Sequence, residues 1–498
     1  MGRSILDNII ATISPETGLK REAARTQLEQ VRKYEGAGKG RRTRNWRAPS
    51  SDANTELDGS LQRLRDRSRD LVRNNPYATN ALRAIMNNTI GAGIRGEPNS
   101  RRAPQKAQRL ETLWQRWAET TECDADGKRT LYGLEALAVE TMVQSGGVII
   151  RKRRRRLNDN RTIPMQLQIM EPDMIDIAKD DTSGGNQIIQ GVEFNSIGQV
   201  VAYWMHESHP GDRRNPMSMH SKRVPADDII YMHRTERPGQ VHGVPWLAPV
   251  MIRLRDLDSF EDAQLVRQKV AAMFTTFIYD ATGTVGATAM DNNNDGQYEL
   301  GEKLEPGAIE LLPPGKDIKH SSPPGVSSYD EFTRNQLRAI AAGVGVPYET
   351  LVYDYSNVNF SSGRMGWLEF HRNLNDWQQN IVIPQMLNPI WDWFREAVQI
   401  STSINPSDVA MKWITPRREM IDPTKEVPAN RDRVRSGQTS WRRLIREQGL
   451  NPDEIAEEIA ADNARFDELG IVTDADPRRI TGAGSFQKEE GVNDAENE

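Results

Sequence analysis

The chain reads SSYDEFTRNQLRAIAAGVGVPYETLVYDYSNVNFSSGRM from residue 327 to residue 365, where a helical pattern stops and a polar segment follows. Ser328 precedes Glu331 by three residues, which is the spacing of a capping box at a helix start. Two glycines and a proline then predict the end of this helix, at Gly343, Gly345 and Pro347. Residues 353–364 are rich in Tyr, Asn and Ser. They predict a polar loop, which is either an ordinary surface loop or a functional loop that a rigid helix positions.

A second long helix is predicted on the N-terminal side of this segment, over residues 246–277. Its apolar residues repeat at helical spacing, and they are Leu254, Leu257, Val266, Val270 and Phe274. About thirty residues in a helix would make a rod of roughly 45 Å. Residues 280–324, between the two helices, are rich in Gly, Pro and Asn and contain short strand-like pieces. The order of helix, compact β insertion and helix predicts a projecting stalk with a small tip.

The rest of the chain alternates between helical and sheet-forming patterns. Asn75 and Pro76 predict a helix start, because proline is tolerated at the first helical position. Period-two alternation over residues 148–233 predicts an antiparallel sheet. Residues 367–398 are helical again, with a kink expected at Pro384 because proline removes a backbone hydrogen bond. A last helix is expected over residues 451–470.

Three blocks of this sequence resemble the lambda-type portal proteins of tailed bacteriophages. They are residues 47–94 (RAPSSDANTELDGSLQRLRDRSRDLVRNNPYATNALRAIMNNTIGAGI), residues 239–274 (GQVHGVPWLAPVMIRLRDLDSFEDAQLVRQKVAAMF) and residues 358–365 (VNFSSGRM). The resemblance extends over most of the chain, from about residue 34 to residue 470. It implies an α+β portal fold with an α/β wing, a two-helix stem, a small β-containing clip and a helical crown.

The resemblance also implies a division of the chain into domains. The expected segments are a flexible basic N-terminal arm (1–59), the wing with helices and an antiparallel sheet (60–245), the first stem helix (246–279), the clip (280–326), the second stem helix (327–346), the tunnel loop (347–366), the long helix and return of the wing (367–420), the crown (421–472) and a disordered acidic tail (473–498).

Portal proteins of this family form a ring, twelve-fold in the mature particle, at one capsid vertex. Double-stranded DNA passes through the ring during packaging and ejection, without sequence specificity. The resemblance therefore implies a non-enzymatic virion protein that needs no cofactor and assembles in the host cytoplasm. Its expected partners are copies of itself, DNA, the major capsid and scaffolding proteins, the terminase large subunit and the head-tail connector.

Two groups of residues are expected to face DNA in such a ring. The tunnel loop contributes Tyr353, Tyr355, Asn357, Asn359, Ser361, Ser362 and Arg364, and the first stem helix contributes Arg255, Asp258, Asp262, Arg267 and Lys269. A duplex must slide through a channel, and each phosphate that a Lys or Arg neutralises adds salt-sensitive affinity. A mostly neutral loop makes few such phosphate contacts, so it would let the duplex slide.

The length and composition of the chain limit the classes of protein to which it can belong. The chain has 498 residues, enough for roughly three domains by the usual length of a domain. The net charge is −5, from 65 basic and 70 acidic residues, so no global basic field indicates nucleic-acid binding. The single cysteine excludes an intrachain disulfide and suits a reducing compartment. No run of eighteen uncharged apolar residues occurs, so no membrane-spanning helix is expected.

Metal chemistry is the main alternative that the residues offer. Asp291, Asn293, Asp295 and Glu302, with Gly296 among them, match the pattern of a calcium-binding loop. The nearby Gly and Pro residues leave no room for the flanking helices of such a site, and a flexible acidic loop is the favoured interpretation. A metal-dependent DNA-processing enzyme that uses these acids is one alternative function, and a monomeric scaffold or adaptor is another. The sequence has no nucleotide-binding P-loop and no hydrolase motif.

Two further clusters have a functional and a structural interpretation. His206, His209, Asp212 and His220 are close in sequence, but their irregular spacing favours a surface loop over a zinc site. Residues 151–156 read RKRRRR, which is either a contact for phosphate or an acidic partner, or a charged sheet edge or hairpin tip. Alternate side chains of a strand point to opposite faces, so only half of this run can share one surface. The basic cluster at residues 39–47 is either a DNA or subunit contact or a solvated tail.

Overall fold

The computed structural model describes residues 48–157, 161–182, 185–214, 220–272, 276–280, 316–320, 329–417 and 422–473, together with a few isolated positions. The chain divides into two units, Met1–Glu56 and Leu57–Glu498, and every element below except the helix Ala53–Leu57 belongs to the second. The predicted calcium-like loop at Asp291, Asn293, Asp295 and Glu302 lies outside the described residues, as do Ser328 and nearly all of the predicted acidic tail.

The helices of the described residues are numbered here in chain order. They are α1 (Ala53–Leu57), α2 (Leu61–Asn74), α3 (Pro76–Thr89), α4 (Pro104–Ala118), α5 (Leu131–Ser145), α6 (Met251–Ala272), α7 (Tyr329–Val344), α8 (Tyr348–Val352), α9 (Phe360–Asp376), α10 (Asn388–Ser401), α11 (Pro423–Arg435), α12 (Trp441–Glu447) and α13 (Pro452–Leu469). The start predicted for α3 is confirmed, because the Asn75 side chain accepts hydrogen bonds from the backbone N–H groups of Tyr77 and Ala78. Helix α1 shows that regular structure begins before residue 60, inside the predicted arm.

The strands are antiparallel wherever they pair, as predicted for the wing. They are β1 (Arg95–Asn99), β2 (Gly147–Arg154), β3 (Met165–Met170), β4 (Gln187–Ile189), β5 (Val192–Phe194), β6 (Val200–His206), β7 (Ser221–Pro225), β8 (Ile229–His233), β9 (Thr276–Asp280), β10 (Lys316–His320) and β11 (Ala410–Ile414). Strands β3, β2 and β8 form one sheet, and β4 to β7 form another. Strand β1 pairs with β11, so two strands that lie more than 300 positions apart in sequence form one sheet.

The basic run at residues 151–156 covers the end of strand β2 and the start of its connection to β3. Strand β2 pairs with β3 over residues 149–154 but with β8 only over residues 147–151. Residues 152–154 therefore have a strand partner on one side only, as a sheet edge does, and Arg155 and Arg156 lie in the hairpin connection between β2 and β3. The Lys152 side chain is 5% exposed, and its Nζ lies 2.9 Å from Glu396 Oε2 and 3.8 Å from Asp228 Oδ1. The alternation of a strand therefore turns one cation of the run inward against α10, while Arg154, Arg155 and Arg156 are exposed.

An aromatic cluster attaches α10 to α4. Trp114 and Trp117 of α4 are buried, and the Trp114 ring lies 5.0 Å from Phe394 and 5.5 Å from Trp391, both in edge-on geometry. Rings in this geometry add about 0.5–1.5 kcal/mol per pair beyond the burial of their area. The cluster holds α10 against α4, although more than 270 residues separate Trp114 from Trp391.

The first long helix is shorter than predicted. Helix α6 has 22 residues, Met251–Ala272, so it is about 33 Å long instead of roughly 45 Å. Residues 246–250 form turns in which Pro249 contributes no backbone N–H, and Thr276–Asp280 is strand β9 instead of helix. Strand β9 pairs with β10, which confirms a β element between the two helices.

Helices α6 and α7 pack against each other, as the predicted stalk requires. The Phe260 ring lies 4.6 Å from Phe332 and stacks on Tyr329 at 5.9 Å. The Arg253 guanidinium donates to the Gln336 side chain at 2.7 Å. Leu254 and Leu257 are buried, as their spacing predicted, whereas Val266 is 58% exposed. The N-terminal part of α6 therefore belongs to the core, and its second half does not.

The long helical segment that begins with α9 contains a π-helical stretch. Residues Trp377–Leu387 lie between α9 and α10 and include Pro384, the position of the predicted kink. Proline has no backbone N–H, so Pro384 cannot donate the hydrogen bond that other helical residues make. In a π-helix the backbone hydrogen bonds join residues i and i+5 instead of i and i+4. Gln378 in this stretch donates to the carbonyl of Thr89 at 2.7 Å, which ties it to the end of α3.

Helices α11 to α13 form the C-terminal region that was predicted to be helical. The Asn451 side chain caps α13 and Gly470 ends it in the left-handed conformation, as expected. Arg446 of α12 contacts Glu97 of β1 through two nitrogens, at 3.1 Å and 3.2 Å. Asn451 donates to Glu111 of α4 at 3.1 Å. These polar contacts attach the C-terminal helices to β1 and α4.

Candidate functional site

The polar loop between α8 and α9 spans residues 353–359. The prediction of a loop over residues 347–366 was wrong at both ends, because Tyr348–Val352 is helical and α9 begins at Phe360. Ser361, Ser362 and Arg364 therefore lie on the first turns of a helix. The cause is a capping box: Asn359 Oδ1 accepts from the Ser362 N–H at 2.8 Å, and Ser362 Oγ accepts from the Asn359 N–H at 3.2 Å. The Asn-x-x-Ser spacing in the sequence was the signal that could have located this helix start.

Asn80 of α3 holds the start of the loop. Its Nδ2 donates to the carbonyls of Thr350 at 3.0 Å and Leu351 at 2.7 Å, and its Oδ1 accepts from the Tyr353 hydroxyl at 3.0 Å. Tyr353 has a φ of 57°, a left-handed conformation that costs a non-glycine residue about 1 kcal/mol. The three hydrogen bonds offset that cost. Sequence reasoning missed Asn80, since no local signal connects it to a loop 270 residues away.

Asp354 organises the interior of the loop. Its Oδ1 accepts from the hydroxyl and the backbone N–H of Ser356, and its Oδ2 accepts from the Tyr348 hydroxyl at 3.1 Å. The hydrogen bonds from Ser356, chiefly the hydroxyl, lower the pKa of Asp354. Burial and the Asp354 carboxylate raise the pKa of Tyr348. The loop therefore carries one fixed negative charge near neutral pH.

All the residues expected to face DNA from this segment are exposed on the described surface. Tyr353 is 66% exposed and Tyr355 is 60% exposed. Asn357, Asn359, Ser361, Ser362 and Arg364 are exposed as well. The structure therefore brings the predicted residues of the loop and of the first turns of α9 onto an accessible surface.

The five residues predicted on the first long helix do not share one side of it. At about 100° per residue, Arg255, Asp258, Asp262 and Lys269 of α6 fall within an arc of about 60°, here called the charged strip. Arg267 lies about 150° away by the same geometry, and its side chain is half-buried, while the four members of the strip are exposed. The expectation for Arg267 is therefore revised, because helical geometry separates it from the others.

Exposed apolar residues flank the charged strip. Leu265 is 54% exposed and Val266 is 58% exposed, and helical geometry places them about 50° to either side of the centre of the strip. Ile252 is 75% exposed and lies farther round on the side of Val266. These exposed apolar side chains are available for contacts with other proteins on both sides of the strip.

The predicted histidine cluster does not converge on a metal site. Among the described residues, the donor atoms of Glu171, Asp173 and His209 lie within 4.8 Å of one another. The Arg69 guanidinium already pairs with both carboxylates, at 3.2 Å for Glu171, and its hydrogen bonds hold the pKa of the Asp173 carboxyl at about 2, although burial alone would raise it. An arginine thus supplies the charge that a cation would otherwise provide. His206 faces Asp176 instead, at 4.0 Å.

Residues 39–378 match the family model described as phage portal protein, lambda family. The chain belongs to the lambda family of phage portal proteins. The portal sequence is 26% identical over 472 residues to a probable portal protein of Halomonas phage phiHAP-1, with 90% of each chain covered. It is 24% identical over 479 residues to portal protein B of Escherichia phage lambda, covering 86% of this chain and 89% of that protein.

The solved structures similar to this portal protein include the neck of a native gene transfer agent particle computed with C12 symmetry. That similarity has a TM-score of 0.45 and 15% sequence identity, over 77% of this chain and 94% of the other. The fold is α+β, as predicted, and the family is structural and not enzymatic. No helix in the described part of the chain is long and apolar enough to cross a membrane.

Proposed function

We propose that copies of this portal protein assemble into a twelve-membered ring around a channel for double-stranded DNA. Residues 353–359, the first turn of α9 and the charged strip of α6 would face the duplex during packaging and ejection. The observation that carries the proposal is the exposed polar loop, which is anchored at its base by Asn80 beside the packed pair α6 and α7.

The surface of α6 supports a ring. In a heterologous contact, one patch of each subunit binds a different patch of the next subunit. Repeating that contact forms a ring when the rotations between successive subunits add up to a full turn. A subunit in a ring has a neighbour on each side, and the charged strip has an exposed apolar border on each side, with Leu265 on one and Val266 on the other. The strip itself would then point toward the axis.

The charges of the candidate surface suit a sliding duplex. The strip combines Arg255 and Lys269 with Asp258 and Asp262, so its formal charge is zero. The loop carries one negative charge, on Asp354, and the start of α9 carries one positive charge, on Arg364, so their formal charges sum to zero. Because a basic surface releases counterions and holds phosphates, a balanced surface lets the backbone pass with few strong contacts.

The family supports finer assignments for the remaining surfaces. The segment between α6 and α7 would act as the clip, which docks the terminase large subunit and later the head-tail connector. The wing would contact the major capsid and scaffolding proteins. Assembly would take place in the host cytoplasm, and the mature ring would lie at one capsid vertex of the virion.

Electron microscopy of the purified protein tests the ring directly. Negatively stained particles should show rings with a central hole wide enough for duplex DNA. A chain that remains monomeric at high concentration, and also in the presence of its capsid partners, would contradict the proposal.

A further inference from the structure

A cleft of about 420 Å³ lies where the C-terminal helices meet the wing. Its walls are the end of α3, the segment at Pro416 and Arg417, the turn after α12 and one side of α9. Two glycines let these walls approach closely: a Cβ on Gly449 would lie 2.8 Å from the Arg417 backbone nitrogen, and one on Gly91 would lie 3.2 Å from the Pro416 Cβ. Larger residues at these two glycines would therefore push the walls of the cleft apart.

The lining of the cleft has an excess of positive charge and hydrogen-bond donors that have no side-chain partner among the described residues. Arg95 and Arg417 both line it, and no acidic residue does so in the described part of the chain. Within the described residues, neither arginine makes an ion pair or a side-chain hydrogen bond, and the same holds for the amide groups of Asn87 and Gln448. Trp367 and Leu374 supply an apolar wall. Two guanidinium groups, two amides and an apolar wall fit an acidic peptide that also carries apolar side chains.

This chain contains a segment with that chemistry outside the described residues. Residues 487–498 read QKEEGVNDAENE, with five acidic residues and one lysine, a net charge of −4. Phe486 precedes the segment and Val492 lies within it. The acidic segment and the cleft are therefore complementary in charge and in apolar content.

The acidic segment is also within reach of the cleft. Gly449 and Leu450 of the cleft directly precede α13, and Arg478 contacts Asp467 near the other end of that helix, at 3.4 Å. Asp467 lies about 24 Å along α13 from Asn451 at 1.5 Å per residue. Residues 479–487 can span about 30 Å when extended. The segment can thus return along α13 to the cleft without any change in the described fold.

We propose that the acidic segment of residues 487–498 binds in the cleft of its own chain, with its carboxylates on Arg95 and Arg417. Tethering through a short linker gives an effective concentration in the millimolar range, so a weak contact suffices for occupancy. A cleft of this volume takes in a few residues of extended chain, whereas a DNA duplex presents its phosphates on a broad convex surface. Occupancy would neutralise two arginines that would otherwise be available to DNA or to other partners.

A peptide-binding experiment on the full-length chain tests this proposal. In a neutral-tail variant, Glu489, Glu490, Glu496 and Glu498 become Gln and Asp494 becomes Asn, which leaves the cleft open. A fluorescein-labelled peptide of residues 485–498 should bind this variant, as followed by anisotropy, at least tenfold more tightly than it binds the parent chain. Adding Arg95→Glu and Arg417→Glu should remove at least 90% of that binding.

Matched controls separate the cleft from general charge. Arg101→Glu with Arg102→Glu reverses two exposed charges elsewhere on the wing and should leave peptide binding within twofold. Equal peptide binding by the parent and neutral-tail chains would overturn the proposal, and so would binding that survives the reversal of Arg95 and Arg417. A short DNA duplex that binds the neutral-tail variant through these arginines while the peptide does not would assign the cleft to nucleic acid and overturn the proposal as well.

Discussion

The Tyr353 hydroxyl donates a hydrogen bond of 3.0 Å to the Asn80 side chain, across 273 positions in sequence. This contact joins the first residue of the polar loop to helix α3. Tyr353 adopts a left-handed conformation that favours glycine, so the loop depends on contacts outside itself to keep its shape.

Removing that hydroxyl should loosen the loop. Tyr353→Phe deletes one hydrogen bond, worth about 1 kcal/mol, and we expect amide hydrogen exchange in residues 353–359 to become about fivefold faster. Tyr355→Phe is the matched control, because Tyr355 is equally exposed and its hydroxyl makes no hydrogen bond within the described residues. Equal exchange rates in the two variants would show that the hydrogen bond from Tyr353 to Asn80 does not position the loop.

Lysines in the loop should hold DNA. Asn357→Lys with Ser361→Lys adds two cations per subunit without disturbing the cap formed by Asn359 and Ser362. We expect packaging to slow by about tenfold at low salt and to recover partly as salt rises, since each new phosphate contact is salt-sensitive. The same positions changed to Gln serve as the control for side-chain size. Unchanged packaging in the lysine variant would count against a loop that faces DNA.

The apolar border of α6 should contribute to assembly. Val266→Glu places a charge where a neighbouring subunit would bury an exposed valine, so we expect the apparent dissociation constant of the ring to rise at least tenfold. Mass photometry across a concentration series would measure it. Gln268→Glu adds the same charge to the same helix, away from both borders, and should assemble as the parent does. Equal assembly of the two variants would remove α6 from the interface.

Stability should fall with rising pH because of Glu135. This side chain is fully buried, and burial raises its pKa to about 8, against an ordinary value of 4.5. Between these values the unfolded chain has released the proton and the folded chain retains it, so raising the pH favours unfolding by about 1.4 kcal/mol per pH unit. Glu135→Gln keeps an acceptor for the Ile94 N–H and should remove this slope.

Urea unfolding at several pH values would measure the contribution of Glu135. The free energy of unfolding of the parent should decrease from pH 5 to pH 8 more steeply than that of Glu135→Gln. Glu140→Gln, on the same helix, is the control and should keep the slope of the parent. Parallel pH profiles for the parent and Glu135→Gln would show that the carboxyl is already ionised in the folded state.

The ion pair between Arg446 and Glu97 should stabilise the attachment of the C-terminal helices. The Glu97 side chain is 5% exposed, so Arg446→Met leaves a buried carboxylate without its partner, at a cost of about 3 kcal/mol. Adding Glu97→Gln to that variant should recover more than half of the loss. Arg442→Met breaks an exposed pair with Asp453 and should cost less than about 1 kcal/mol. Urea denaturation measures all three, and similar losses for Arg442→Met and Arg446→Met would contradict the argument.

Local patterns were enough to predict much of this fold. Periodicity located α7, the antiparallel strands β2, β3 and β8, and the start of α3 at Asn75, because the spacing of apolar residues and the capping groups are properties of neighbouring residues. The same logic misplaced the ends of α6 and of the polar loop. A capping box at Asn359 and the pairing of β9 with β10 outweighed the general composition of those segments.

Residue types, their order and three blocks of family sequence were sufficient to assign the α+β class and the portal family, because those depend on patterns along the chain. The anchoring of Tyr353 by Asn80, the inward position of Lys152 and the cleft lined by Arg95 and Arg417 depend on contacts between residues that lie from about 75 to more than 300 positions apart. No local pattern contains such pairings. They arise only when helices and strands pack and each buried polar group takes the partner that its neighbours place within reach.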